Sequence, residues 1–242
     1  MASDQDGLTA SAAGDVATWI PPLEPGDRLS REEFERRYRA MPEIKKAELI
    51  EGVVYMPSPA RYERHSDPHA AVVGCLYLYS AGTPGVKVAD NSTVRLDFMN
   101  EPQPDAILFI EPECGGQVRI SADDYVEEAP ELVVEIASSS ASYDLGPKLE
   151  SYRRNEVREY IVWRVLDREI DWFVLTEGEY RRLEPGDDGL FRSKLFPGLW
   201  LDRQALLEKR HVRVVECVQL GLQSQEHAAF VERLAAARAG SS

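Results

Sequence analysis

The feature that most restricts the fold of this sequence is a nearly continuous apolar run, Leu132–Ala137, that contains a single carboxylate, Glu135. Such runs are typical of strands near the middle of a sheet that is covered on both faces. A second apolar run of β type directly follows Asp105. A buried ionised group is costly unless it is paired or bound to a metal. The sequence therefore predicts that two carboxylates beside or within buried strands form a functional site.

Length and composition predict one globular domain with appendages. The chain has 242 residues, and 43% of them are hydrophobic, which is enough to bury a full core. The N-terminus lacks a basic and apolar leader, and no run of about 18 apolar residues could span a membrane. We expect a soluble, cytoplasmic protein that does not associate with a membrane. The cysteines at 75, 114 and 217 are far apart and predict neither a zinc site nor a disulfide framework.

The net charge of -14 argues against non-specific binding of nucleic acid, because lysine and arginine supply most of that affinity. A surface that faces DNA would have to be a local exception. Two basic patches could form it, although acidic neighbours dilute both. The first contains Arg61, Arg64 and His65, and the second contains Lys148, Arg153, Arg154 and Arg158.

Composition and periodicity divide the chain into three parts. Residues 1–25 are rich in small residues and proline and are expected to form a flexible arm. Residues 26–202 alternate strand and helix patterns and are expected to form the main domain. Residues 203–242 are expected to form a helical C-terminal extension outside the catalytic core. No internal repeat is visible.

Turn and capping signals predict the elements of the main domain. The predicted helices span about 30–39 and 69–80, and a third begins near Asp144. The predicted strands are a hairpin over 47–55, three runs at 86–89, 93–98 and 105–110, the buried strand 132–137, a hairpin of 160–165 with 170–175, and a last strand or loop over 196–201. An acidic connection is expected over 111–129.

Carboxylates on two neighbouring strands can converge on one cation, because adjacent strands lie about 4.8 Å apart. Magnesium suits Asp105 and Glu135, since one or two carboxylates with water and phosphate oxygens typically hold it, and manganese could replace it. Lys148 follows in the sequence and could offset charge on a phosphate in the transition state. In a helix that begins near Asp144, residues 144, 148 and 152 share one face, so that Tyr152 joins the acid and the base.

The order of these motifs resembles the Uma-two branch of restriction endonucleases within the PD-(D/E)XK nuclease superfamily. The resemblance covers about residues 28–202. It includes the 48–52 hairpin, the Ser58-Pro59 turn, His69 at the start of a helix and Gln103-Pro104-Asp105. It continues through residues 129–136, 144–149 and 157–163, with Tyr152 between them.

The resemblance implies a metal-dependent nuclease in which Asp105 and Glu135 are ligands and Lys148 is the catalytic lysine. It also implies a further acid at the metal site, for which Glu48 and Glu51 compete. Gly52 makes Glu51 the better turn residue, which favours Glu48 as the third metal residue. The usual motif has its lysine two residues after the strand acid, where this chain has Ala137. A lysine from the following helix would take its place. His69, Asp144 and Tyr152 are accessory candidates.

We therefore expect an α/β, restriction-endonuclease-like fold in which helices flank a mixed central sheet, and hydrolysis of DNA phosphodiester bonds with Mg²⁺ or Mn²⁺. One alternative is an inactive relative that serves as a binding or regulatory module, which the acidic charge and Ala137 favour. Another is a dimeric interaction protein in which the C-terminal helix pairs two subunits. The sequence also leads us to expect that replacing Lys148 with alanine leaves folding nearly intact. The sequence does not define which DNA sequence is cut, whether the substrate is DNA or RNA, or the biological pathway in which the protein acts.

Overall fold

The computed structural model of the protein describes residues 19–57 and 59–241. Most of the predicted N-terminal arm, residues 1–18, lies outside the described residues, as does Ser58 of the predicted turn. The described part contains a six-stranded mixed sheet with helices on both sides, as the sequence predicts. The fold class is therefore confirmed.

The sheet has the strand order β11-β10-β9-β8-β5-β3, in which only β8 and β9 are parallel neighbours. Its strands are β3 (Val86–Asp90), β5 (Ala106–Ile110), β8 (Leu132–Ala137), β9 (Glu159–Arg164), β10 (Glu169–Thr176) and β11 (Glu179–Arg182). Three small sheets surround it: β1 (Glu48–Ile50) with β2 (Val53–Tyr55); β4 (Val94–Arg95) with β7 (Val126–Glu127) and β6 (Arg119–Ile120); and β12 (Leu190–Arg192) with β13 (Trp200–Asp202).

The helices are α1 (Arg31–Arg39), α2 (Asp67–Ala81), α3 (Ala141–Asp144), α4 (Pro147–Arg154), α5 (Arg203–Leu207), α6 (His211–Leu222) and α7 (Gln225–Gly240). A one-turn π-helix, Tyr62–Ser66, leads directly into α2, and a 3-10 turn covers Pro112–Cys114. The predicted cap of α1 is present, because the Ser30 hydroxyl accepts a hydrogen bond from the Glu33 amide. The β1–β2 turn has positive φ angles at both Glu51 and Gly52, the conformation that tight hairpins favour.

Three local predictions were wrong. The run 93–98 forms only the two-residue strand β4, which pairs in a small sheet rather than in the central one. The connection 111–129 contains β6 and β7. The helix expected to begin near Asp144 is interrupted, because α3 ends at Asp144 and α4 begins at Pro147. Proline disfavours a helical conformation in the residue before it, and Gly146 adopts φ -118° and ψ -104°.

Two hydrophobic clusters cover the two faces of the central sheet. Along β8, Val134 and Ile136 belong to the larger cluster, and Val133 and Ala137 belong to the other. Side chains alternate along a strand, so Glu135 points to the same face as Val133. This face also holds Tyr152 of α4. The strand pattern therefore directs the one charged residue of β8 towards the helix that carries Lys148.

The C-terminal helices pack on the other face. Val214 and Val218 of α6 and Phe230 of α7 are buried in the same cluster as the strands β5 and β8. Phe230 meets Phe196 edge to face, with ring centroids 6.3 Å apart. The sequence segment beyond residue 202 thus shares its hydrophobic core with the sheet. In the part of the chain that the structure describes, no helix is both long enough and apolar enough to cross a membrane.

Replacement of Phe230 with alanine should lower the free energy of unfolding of the whole domain. Loss of a buried aromatic side chain costs about 3–5 kcal/mol, and Phe230 is buried in the shared core. Phe98→Ala is the matched control, because Phe98 is 82% exposed and its loss should be nearly neutral. Urea unfolding followed by circular dichroism measures both. A separate, early transition for the C-terminal helices would show instead that they are an independent unit.

Candidate active site

The ammonium group of Lys148 lies between two buried carboxylates. Its Nζ is 2.8 Å from Glu135 Oε1 and 2.9 Å from Glu48 Oε1. A third carboxylate, Asp144 Oδ1, lies 3.9 Å from the same nitrogen. All four side chains are at most 5% exposed. One buried cation therefore serves three buried acids.

Four parts of the chain supply this cluster. Glu48 comes from β1, Glu135 from β8, Asp144 from the end of α3, and Lys148 from the first turn of α4. Backbone hydrogen bonds between Leu49 and Glu101 dock β1 beside the segment that leads to β5. In that segment the Gln103 amide donates a 2.7 Å hydrogen bond to Glu48 Oε1. The hairpin is thereby fixed next to the central sheet.

Tyr152 orients Glu135. It follows Lys148 by one helical turn, so that both side chains leave the same face of α4. Its hydroxyl donates a 2.9 Å hydrogen bond to Glu135 Oε1, the oxygen that also contacts Lys148. Within the described residues the other oxygen, Oε2, accepts no hydrogen bond. One carboxylate oxygen of Glu135 is therefore held by the protein and the other is available to a ligand.

Asp105 lies beside Glu135, at the start of the neighbouring strand. Strands β5 and β8 are antiparallel with Ala106 opposite Val134, and one further step of this register places Asp105 opposite Glu135 on the same face. Asp105 Oδ2 accepts a 2.7 Å hydrogen bond from the Ile136 amide. Oδ1 has only the longer contacts to His65 Nε2 at 3.5 Å and Lys46 Nζ at 3.6 Å. Asp105 is thus also anchored through one oxygen.

Burial raises the pKa of Glu135 to about 8, although the Lys148 ammonium lowers it in part. Asp105, Asp144 and Glu48 add to the rise, because each neighbouring negative charge disfavours ionisation of Glu135. The pKa of Asp144 is also raised by burial. Burial would lower the pKa of Lys148, but Glu135, Glu48 and Asp144 hold it well above its usual value. The cluster is therefore short of positive charge.

The other predicted acids and His69 lie outside the cluster around Lys148. Glu51 is in the turn of the first hairpin, where its partly exposed side chain pairs with Arg154. Glu48, its competitor, is the acid that reaches Lys148. His69 Nε2 is 2.9 Å from the backbone oxygen of Asp105 and 2.8 Å from Asp90 Oδ1. His69 thus links α2 to the start of β5 and to the end of β3, and it contacts the backbone of Asp105 rather than its carboxylate.

The structure adds three residues that the sequence did not assign to the site. His65 and Lys46 face Asp105, and the Tyr143 ring lies 5.4 Å from Lys148 Nζ. The Tyr143 hydroxyl is buried and has no hydrogen-bond partner among the described residues. Lys46 precedes Glu48 by two positions, which places both on one side of the chain as it enters β1, and this alternation is the one signal that could have identified it.

The two predicted basic patches differ in their free charge. Arg153 is paired with Glu150, and Arg154 with Glu51, so little positive charge remains there. Lys148 is buried and does not contribute to a surface at all. Arg61 and Arg64 are exposed, and their side chains pair with no residue of the described ranges. Arg158, the remaining member of the second patch, is also exposed and forms no ion pair within the described residues. The first patch therefore retains two unpaired arginines and the second patch retains one.

The donor atoms around Asp105 and Glu135 suit a hard divalent cation. Within residues 19–57 and 59–241, no three His, Cys, Asp or Glu side chains are grouped to hold a metal ion. Magnesium does not need three, because one or two carboxylates commonly bind it together with water and substrate oxygens. Asp105 Oδ1 and Glu135 Oε2 are the two oxygens with no hydrogen bond, and they belong to cross-strand neighbours. The excess of buried carboxylates also favours an added positive charge.

Comparisons with known proteins identify the family to which this chain belongs. A crystal structure described as "a putative nuclease belonging to DUF820", from Anabaena variabilis ATCC 29413, has a similar fold with a TM-score of 0.55. It is 15% identical in sequence, and the match covers 72% of this chain and 96% of that one. A family model described as Uma2, "Putative restriction endonuclease", matches residues 31–204. The chain belongs to this Uma2, or Uma-two, family. A comparison with curated proteins finds no match.

The burial of Lys148 changes the expectation for its removal. Removing one partner from a buried ion pair costs about 3–5 kcal/mol, because it leaves an uncompensated buried charge. Lys148→Met should therefore destabilise the fold rather than leave it intact. The pKa of Glu135 is about 8 in the folded protein and 4.5 ordinarily, so its contribution to stability is fully present below pH 4.5 and is lost as the pH rises through about 8. Above that pH the buried Glu135 carries a negative charge that Lys148 must compensate. The loss in Lys148→Met should therefore be larger at pH 9 than at pH 5.

Chemical unfolding of wild type and Lys148→Met at the two pH values measures this difference. Lys87→Met is the matched control, since Lys87 is 57% exposed, pairs with Glu111 and should change stability by less than about 0.5 kcal/mol. A Lys148→Met protein as stable as wild type at pH 9 would contradict the charge balance described for the cluster.

Proposed function

We propose that this protein is a metal-dependent nuclease that hydrolyses DNA phosphodiester bonds with Asp105, Glu135, Lys148 and Glu48 as its site residues. The observation that carries the proposal is the excess of buried carboxylates around the single buried Lys148. A purely structural ion pair needs one acid for one base. The membership of a family described as restriction endonucleases supports the same reaction class.

Asp105 and Glu135 would hold a Mg²⁺ or Mn²⁺ ion through Asp105 Oδ1 and Glu135 Oε2. When bound, such an ion polarises the phosphate and lowers the pKa of a coordinated water. The protein fixes both ligands from behind: the Ile136 amide holds Asp105, and the Tyr152 hydroxyl holds Glu135. Fixed ligands of this kind reduce the reorganisation that the reaction requires.

Lys148 would act on the phosphate itself. The surrounding acids hold the pKa of its ammonium well above the usual value, which favours the charged form. A charge fixed beside the developing negative charge on phosphate stabilises the transition state. Glu48 positions this group, since it contacts Lys148 and is itself held by the Gln103 amide. The role of Glu48 is therefore to orient the lysine.

One observation favours the alternative of an inactive binding or regulatory module. Lys148 already contacts two carboxylates at 2.8 and 2.9 Å, which leaves it less able to reach a phosphate. In that case the cluster would only hold β1, β8 and α4 together. The two functions differ in whether conservative loss of a carboxylate charge abolishes hydrolysis of DNA.

Glu135→Gln and Asp105→Asn should each lower the rate of DNA hydrolysis by roughly two to three orders of magnitude, the scale of losing one group that stabilises the transition state. Both changes keep the shape of the side chain and remove a charged ligand. Supercoiled plasmid and a short labelled oligonucleotide, each incubated with Mg²⁺ or Mn²⁺, provide the measurement. EDTA should stop the reaction of the wild type.

Glu150→Gln is the matched control, because Glu150 lies on the same helix as Lys148 but is 46% exposed and pairs with Arg153. It should hydrolyse DNA at the wild-type rate. Equal inactivity of wild type and Glu135→Gln with both metals, while both remain folded, would overturn the nuclease proposal in favour of the binding module.

A further inference from the structure

An exposed aromatic ring stands between two free arginines on the π-helical turn before α2. Tyr62 is 72% exposed, and Arg61 and Arg64 are exposed without a side-chain partner in the described ranges. Most of the ring is therefore accessible to a ligand. Arginines beside an exposed ring are the components with which proteins bind single-stranded nucleic acid, by stacking a base on the ring and contacting phosphates.

The same turn reaches the candidate active site through His65. His65 Nε2 lies 3.5 Å from Asp105 Oδ1, and Nδ1 lies 3.3 Å from the backbone oxygen of Ile136. His65 and Lys46 have 26% of their side chains exposed, whereas the carboxylate of Asp105 beside them is 5% exposed. His65 of the π-helix is therefore one of two partly exposed side chains that contact the buried carboxylate of Asp105.

A C-terminal segment packs next to this turn. Lys209, between α5 and α6, forms a 2.7 Å ion pair with Asp67 at the start of α2. Lys209 is 50% exposed, and the next residue, Arg210, pairs with Glu208 at 3.0 Å. The helices beyond residue 202 thus contribute to the surface at the site as well as to the hydrophobic core.

We propose that the surface formed by Arg61, Tyr62 and Arg64, here called the π-helix patch, binds an unpaired nucleic acid strand and leads it to Asp105. This inference rests on the proposed nuclease function and names its substrate class. In a protein of net charge -14, nucleic acid must bind where cations are free of acidic partners, and Arg61 and Arg64 meet this condition.

Two physical arguments favour a single strand over a duplex. A base can stack on Tyr62 only if it is not already stacked within a double helix. The carboxylates of the site are also at most 5% exposed, and a flexible strand reaches such a recessed site more easily than a stiff duplex. Segments of duplex that open or fray would be bound through their unpaired nucleotides.

Fluorescence anisotropy with a labelled thymidine oligonucleotide of about 20 nucleotides, and with a duplex of the same length, tests the proposal. EDTA is present, so that hydrolysis does not contribute. Wild type should bind the single strand more tightly than the duplex. Tyr62→Ala should weaken binding of the single strand roughly tenfold, the scale of losing one base stack. Tyr77→Ala is the matched control, because Tyr77 is 66% exposed on α2, and it should bind as wild type does.

The arginines are tested by the salt dependence of the same binding. Arg61→Gln combined with Arg64→Gln should reduce the slope of log affinity against log salt by about 0.7 for each phosphate that the protein no longer neutralises. Arg181→Gln is the matched control. Arg181 is 65% exposed in β11, the outer strand at the opposite edge of the sheet from β3, and its change should leave the slope unaltered.

The proposal is overturned if wild type does not bind the single strand, if it prefers the duplex, or if Tyr62→Ala binds as wild type does. The outcomes also separate this inference from the proposed function. Binding through the patch by a protein that never hydrolyses DNA would support the patch and reject the nuclease. Hydrolysis that depends on Glu135 but not on Tyr62, Arg61 or Arg64 would support the nuclease and reject the patch.

Discussion

The contact on which this structure depends is the buried ammonium of Lys148 between Glu48 and Glu135. It joins the first hairpin, which is distant in sequence, to the central strand β8 and the nearby helix α4. Buried ion pairs are weak evidence for stability, because well-packed apolar residues of similar volume are often as good or better. A cluster with more acids than bases is still less suited to a stabilising role. The metal ion that we propose would supply the missing positive charge.

The alternation of β8 connects this cluster to the rest of the fold. Its apolar residues serve the two faces of the sheet, and the position that would break the pattern, Glu135, faces α4 and Tyr152. Asp105 reaches the same face because β5 is the antiparallel neighbour of β8. The edge of the site towards solvent is formed by His65 and Lys46, from the π-helix and from the approach to β1. The buried carboxylates and the partly exposed residues beside them thus come from different parts of the chain.

The sequence was most informative where burial and charge conflict. An acid inside an apolar strand predicted the location of Glu135. The Gly52 turn favoured Glu48, which contacts Lys148, over Glu51, which pairs with Arg154. The break between α3 and α4 was missed, although Pro147 is a signal for it. The contacts of His65 and Lys46 with Asp105 could not be read from local patterns, because they arise when the π-helix and the first hairpin pack beside β5. The C-terminal helices were treated as an extension because an apolar helical face does not reveal what it packs against.

Anomalous diffraction from crystals soaked in Mn²⁺ tests the central claim most directly. Manganese replaces magnesium at oxygen ligands and gives a signal of its own, independent of any activity assay. The account predicts a single peak bonded to Asp105 Oδ1 and Glu135 Oε2 at about 2.1 Å, the distance expected for a small divalent cation at carboxylate oxygens. The peak should be absent from Asp105→Asn crystals. No peak in wild-type crystals, or a peak only at exposed carboxylates, would contradict the assignment of this cluster as a metal site.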